Sequence, residues 1–208
     1  MPTELLVSGP TDASATLLLA HGAGGAMDSV WLNEFCGMLA ARGIRTVRFE
    51  FPYMAARRTG TRRPAPKAEI SVAAYREAVA LVADRPLFIG GKSYGGRVAS
   101  MLAQELVGTI AGLVCLSYPF HPAGKPEQLR TAHLKDLTVP TLICQGTRDP
   151  FGSAAEVPGY GLSPSIEVHW LEDGEHEWRP RKAISGRTAK QNLEEAADAV
   201  ATFCLSHG

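Results

Sequence analysis

The stretch Pro86-Leu87-Phe88-Ile89-Gly90-Gly91-Lys92-Ser93-Tyr94-Gly95-Gly96-Arg97-Val98 decides the fold. Residues 86–90 form a short apolar run of the kind a buried strand shows, and residues 96–106 are compatible with a helix. Between them lies Gly91-Lys92-Ser93-Tyr94-Gly95, a G-x-S-x-G pattern. Strand, pattern and helix in that order predict a sharp turn that lifts a serine hydroxyl clear of a sheet. Glycines flank the serine because the chain there must take a strained conformation while other backbone packs close. The bland alternative is a glycine-rich turn with a surface serine. Gly91-Lys92-Ser93 also looks like the tail of a phosphate-binding loop. That loop needs a glycine where Pro86 stands, and the residues between read as strand.

Working outward, further continuous apolar runs predict strands at residues 16–20, 44–49, 113–117 and 141–144. Residues 166–171 alternate and read as an outer strand, and residues 4–7 as an added edge strand. Helical spacing covers residues 29–42, 71–83 and 188–205. Asp28 or Ser29 caps the first of these, Gly43 ends it, and Ser71 caps the second. The alternation predicts an α/β fold: a doubly wound, mostly parallel sheet of about 6–7 strands with helices on both faces. The two longer loops, residues 52–67 and 119–137, are too short for a separate cap domain, so any site should be open.

A chain of 208 residues suits a single domain, residues 1–208. Apolar content of 45%, charged content of 20% and a formal net charge of +0 point to neither nucleic acid nor a membrane surface. Residues 1–4 do not begin a secretory signal, and no apolar run approaches the roughly 20 residues of a transmembrane helix. Cys36, Cys115, Cys144 and Cys204 lie apart within apolar elements, as reduced, buried thiols of a cytoplasmic protein do. No zinc-binding spacing and no H-E-x-x-H occurs, so no metal and no cofactor is expected.

A serine hydroxyl needs a base to take its proton, and the base needs an orienting acid. With this turn the expected chain order is Ser, Asp, His. Asp149 follows the 141–144 strand and His176 follows the 166–171 strand, at the strand ends where open α/β sheets assemble their sites. Asp173 is the rival acid, but it is too close to His176 in sequence to reach the ring from the usual side. Taken singly, Asp149 reads as a turn residue before Pro150 and His176 as an exposed loop histidine; the order and the shared sheet edge join them. Developing negative charge on a substrate oxygen calls for two backbone N–H donors. One is Tyr94 at the helix start; the other is Ala23, or else Gly24, in His21-Gly22-Ala23-Gly24-Gly25. Tyr53, Phe120, Phe151 and Trp178 either line a pocket or pack in the core. Arg62 and Arg63, in a loop that also holds Arg57, Arg58 and Lys67, either meet an anionic substrate or stay solvated or bound to acidic residues of the fold.

At these residues the sequence resembles the α/β-hydrolase superfamily, across nearly its whole length. It looks most like the small, capless, dienelactone-hydrolase-like members. Phe51-Pro52-Tyr53-Met54, Gly90 to Arg97 and Gly146-Thr147-Arg148-Asp149-Pro150-Phe151-Gly152 resemble a branch that includes a regulatory subunit of a histone-acetylation complex and bacterial single-domain proteins. The resemblance implies nucleophile, acid and base at Ser93, Asp149 and His176. Dienelactone hydrolases carry a cysteine nucleophile, which this chain replaces with serine. The expectation is a serine hydrolase of an ester, thioester or related acyl bond, with a small-molecule acyl substrate that can be anionic. The alternative is a non-catalytic binding or scaffold protein on the same fold.

Overall fold

A computed structural model describes residues 4–83 and 86–208. Seven strands form one sheet: β1 (Leu6–Ser8), β2 (Ala15–Ala20), β3 (Ile44–Phe49), β4 (Leu87–Lys92), β5 (Gly112–Leu116), β6 (Thr141–Gly146) and β7 (Ile166–Leu171), in the order β1-β3-β2-β4-β5-β6-β7. All neighbours run parallel except β1, which pairs antiparallel with β3 at the edge. The continuous apolar runs are central strands because both of their faces are covered. In β2, Leu17 and Leu19 pack into one core with Phe35 and Leu39 of helix α1 (Val30–Ala40) and Val200 and Cys204 of helix α6 (Ala189–His207). Leu18 and Ala20 turn to the other face, toward Tyr75 of helix α3 (Ala68–Ala80) and Val98 of helix α4 (Tyr94–Ala103). Full burial of such a leucine or phenylalanine is worth about 1.5–3 kcal/mol.

The order sets where a site can form. From β2 the chain crosses to β3 on one side; from β4 it proceeds through β5, β6 and β7 on the other. Adjacent strands β2 and β4 therefore send their following loops in opposite directions, which opens a crevice at their carboxyl ends. No cap covers that edge.

Several element ends differ from expectation for physical reasons. Helix α2 (Pro52–Arg58) occupies the start of the stretch expected as loop, with Pro52 at its first turn, where a missing N–H costs nothing. Helix α3 begins at Ala68, and its cap position is Lys67, not Ser71; the Ser71 hydroxyl instead bonds the Tyr94 hydroxyl at 2.7 Å. Ser29 does occupy the cap position of α1, but its side chain makes no capping bond. Helix α6 has a reciprocal cap: Gln191 N–H donates to Thr188 Oγ1, and Thr188 N–H donates to Gln191 Oε1. The four cysteines are free and buried. A short helix, α5 (Lys182–Ser185), precedes α6.

The turn from β4 into α4 is packed at backbone contact. A Cβ added at Gly91 would lie 2.4 Å from the carbonyl carbon of Gly95, and one at Gly95 would lie 2.6 Å from the His21 oxygen and 2.7 Å from the Ala20 oxygen. All of these neighbours are backbone, which cannot swing aside. Gly95→Ala should therefore destabilise the protein by about 1–3 kcal/mol, the usual cost of overpacking. Gly37→Ala, in the exposed middle of α1 with nothing within 4 Å of the new methyl, should stabilise it by about 0.4–1 kcal/mol. Urea titration of the two variants checks both signs.

Candidate active site

Ser93 has φ +50° and ψ −110° and stands at the cap position of α4. This is a costly backbone for a residue with a Cβ. It is held from outside: Ser93 N–H donates to Leu116 O at the end of β5 at 2.8 Å. Three residues expected to meet do so. His176 Nε2 lies 2.9 Å from Ser93 Oγ, and His176 Nδ1 lies 2.8 Å from Asp149 Oδ2. Asp149 is fully buried, and its other oxygen accepts the Phe151 N–H at 2.9 Å. The Asp–Pro turn thus aims the carboxylate rather than merely reversing the chain. Asp173 faces away from His176 toward Arg148 and Arg181, and hydrogen bonding by Arg181 holds its carboxyl at about 2, well below the usual carboxylate range.

The histidine loop is fixed from beneath. The His176 carbonyl oxygen accepts from Lys92 Nζ at 2.6 Å and from Ser117 Oγ at 2.8 Å. Lys92 is 6% exposed. Burial lowers the pKa of its ammonium; Glu177, 3.3 Å away, is the first of the groups that oppose the shift. The Trp31 ring lies under the same Nζ, with 5.2 Å to its centroid. Sequence reasoning took Lys92 only as the lysine of a rejected phosphate loop. Its burial follows from β4 lying centrally in the sheet.

The loop after β2 is also tied from behind. His21 is buried, and its Nε2 accepts the Phe51 N–H at 3.1 Å, so Nδ1 carries the proton and donates to Gly22 O at 2.7 Å. Burial lowers the pKa of this imidazole, consistent with its neutral form. The Tyr53 hydroxyl reaches the carbonyls of Gly22 and Ala23 at 3.3 and 3.1 Å. With its carbonyls drawn back in this way, the loop presents its other edge to Ser93. Ala23 borders both clefts that open at Ser93; Tyr94 borders one and Gly24 the other.

These clefts have volumes of about 640 and 460 Å³ and share Ala23, Ser93 and Phe151. Of the aromatics left open between pocket and core, Phe151 borders both clefts, with its ring centroid 4.4 Å from that of His176. For five other residues the pocket-lining reading is corrected. Trp178 is fully buried against Trp31 and Phe35 on the α1 face of the sheet, and Phe120 is fully buried against Tyr118 and Tyr160. Tyr53 holds the β2 loop instead of a substrate. Arg62 and Arg63 line neither cleft at Ser93; Arg63 borders a separate groove with Tyr53 and Pro64. Nearby, Arg58 is spent on Glu50 and Asp28. The arginines that do border the larger cleft are Arg97 and Arg130. Arg97 had a sequence signal, four residues after Ser93 on one helix face; Arg130 had none. Among the described residues no group of three His, Cys, Asp or Glu could hold a metal ion, and no helix is long and apolar enough to cross a membrane.

Comparison with known proteins places this geometry. The chain is similar to a lidless α/β serine hydrolase from Xanthomonas campestris, with 19% identity, a TM-score of 0.69, and 98% of this chain and 90% of that one covered. It is similar to dienelactone hydrolase from Anabaena variabilis, with 17% identity, a TM-score of 0.69, and 99% and 92% covered. Est1E from Butyrivibrio proteoclasticus, a structure with bound ferulic acid, matches at 17% identity and a TM-score of 0.71, with 99% and 95% covered. At these identities the likeness speaks for the fold. A family model for the alpha/beta hydrolase domain matches residues 13–205. With sheet order, serine turn and family match in agreement, the chain belongs to the alpha/beta hydrolase family.

Proposed function

We propose that this protein is a single-domain serine hydrolase that cleaves an ester, thioester or related acyl bond of a small molecule. The observation that carries the reading is the unbroken chain of two short contacts from Ser93 Oγ through the His176 ring to Asp149. Ser93 Oγ attacks the substrate carbonyl carbon while His176 Nε2 takes its proton. His176 Nδ1–H donates to Asp149, whose buried charge favours the imidazolium that forms. The carbonyl oxygen, now negative, lies against the N–H of Tyr94 at the start of α4 and the N–H of Ala23, with Gly24 the neighbouring alternative. His176 then protonates the leaving oxygen or sulfur, the acyl group remains on Ser93, and water activated by the same imidazole releases it.

The alternative, a binding scaffold, finds no support in the backbone at Ser93. A non-glycine residue in so sparsely populated a conformation costs of order 1–3 kcal/mol. A scaffold gains nothing from that cost, whereas a nucleophile gains its exposure.

A fluorophosphonate probe should label the wild-type protein and leave Ser93→Ala unlabelled; equal labelling of both would remove Ser93 from the role. Asp149→Asn should lower kcat on p-nitrophenyl esters by about 10³–10⁴ with KM changed far less, as expected when the base loses its orienting charge. Lys92→Met tests the support beneath His176. The methionine keeps an apolar stem of similar length, and Glu177 is left 39% exposed, so folding stability should change little. Displacing a catalytic group by about 1 Å can cost about 10² in rate, so kcat should fall at least about tenfold while KM holds. A kcat unchanged in Lys92→Met would show that Ser117 alone suffices.

A further inference from the structure

The two clefts that meet at Ser93 differ in charge. The smaller is bordered by His176 and by Lys92 and Glu177, which pair with each other; the larger by Tyr94, Arg97 and Arg130. His176 hands its proton to the leaving atom, so in the proposed reaction the leaving group lies on the His176 side. The acyl chain then runs into the larger cleft. We propose that this cleft takes an acyl chain ending in a carboxylate, bound by the guanidinium groups of Arg97 and Arg130, which makes the substrate a hemiester or hemithioester of a dicarboxylic acid. The inference rests on the serine-hydrolase reading of Ser93 and gives that site its substrate class.

Arg97 stands one turn along α4 from Ser93, its N–H donating to Ser93 O at 3.1 Å. Four helical residues rise about 6 Å and return to the same face. A group bound at Arg97 is thus several bonds beyond the reacting carbonyl, the length of a short diacid. The Arg97 side chain is only 19% exposed, and one of its terminal nitrogens pairs with Glu69 at 3.0 Å. Its Nε–H is buried with no acceptor. Leaving such a donor unmatched costs about 1–3 kcal/mol. Arg130, half-buried in the same cleft, forms no ion pair with a carboxylate among the described residues. Burial lowers the pKa of its guanidinium, and the charge of Arg97 lowers it further. With Lys67, the walls of this cleft carry three cations against one carboxylate, Glu69, which is 54% exposed. The protein as a whole has a formal net charge of +0, so this excess is local. Two like charges sharing one cleft call for an anion between them, and the planar guanidinium fork matches a carboxylate.

Ser93→Ala protein, which binds substrate without turning it over, separates recognition from chemistry. Calorimetry would compare mono-p-nitrophenyl adipate with its uncharged methyl ester. The hemiester should bind at least about tenfold tighter at low salt, and the advantage should shrink as ionic strength rises. Arg130→Gln in the same background should erase most of it; Arg97→Lys, which keeps the charge but loses the fork, should erase part. Arg130 is the decisive position because no ion pair among the described residues depends on it, and a thermal melt verifies that the variant is folded. Equal binding of the two esters, or a preference that survives Arg130→Gln, would overturn the inference. A preference for the hemiester in a protein whose wild type hydrolyses no ester would strike the Ser93 reading alone. Hydrolysis of neutral esters without any preference would strike the carboxylate alone.

Discussion

The backbone of Ser93 is the constraint on which the site depends. Its φ of +50° is unfavourable in isolation and survives because the neighbouring chain leaves it no other choice. Gly91 and Gly95 let β4 and α4 close on each other at backbone contact, and Gly95 also meets the carbonyls that end β2. Ser93 N–H is anchored to β5. Three adjacent parallel strands thus define one residue. The same packing starts α4 immediately behind Ser93, with Tyr94 as its first residue, and the proposed reaction uses the N–H at that helix start as a donor to the developing charge.

The rest of the site is placed by a second layer of buried polar contacts. Lys92 sits one residue before the nucleophile, and β-strand alternation sends its side chain to the opposite face from the elbow helix, where it reaches the His176 carbonyl. The positions of Ser93 and His176 are coupled through this single side chain. Burying an ammonium is costly, and its favourable contacts here are all local: a carbonyl, Glu177 and the face of Trp31. Ser117, itself at φ +56°, contributes the second bond to the same carbonyl. On the other side Tyr53 and His21 do the equivalent work for the β2 loop. Each loop thus takes part of its shape from residues outside it: Lys92 and Ser117 for one, Tyr53 and Phe51 for the other.

This division explains what could be read from the sequence. Strands buried on both faces leave continuous apolar runs, and all the central strands were legible to within two residues at each end. Ser93, Asp149 and His176 were legible because each follows a strand at the same sheet edge, the first two after continuous apolar runs and His176 after the alternating outer strand, and chain order then restricts their roles. What could not be read was anything decided by the approach of distant segments. An aromatic side chain has the same composition whether it faces a cleft or a core, so Trp178, Phe120 and Phe151 were indistinguishable until packed. Ser71 carries a capping residue's chemistry, yet its hydroxyl is taken by Tyr94. The cluster of arginines at residues 57–63 drew notice by density, whereas the two that border the cleft stand 33 positions apart (97 and 130) on separate elements.

An open site of this kind has to obtain its selectivity from the walls. With no cap to exclude water, apolar complementarity along the 640 Å³ cleft is limited, and orientation of a substrate falls to a few polar groups. Fully exposed charges would serve poorly, since salt screens them over roughly 8–10 Å. Arg97, mostly covered by its own neighbours, and Arg130, half-covered, lie where screening is weaker and attraction correspondingly stronger. A carboxylate held there leaves the carbonyl of a short chain one helical turn back, at Ser93. In the proposed reaction the same rigid turn that holds Ser93 therefore also measures the distance to the charge that would select the substrate.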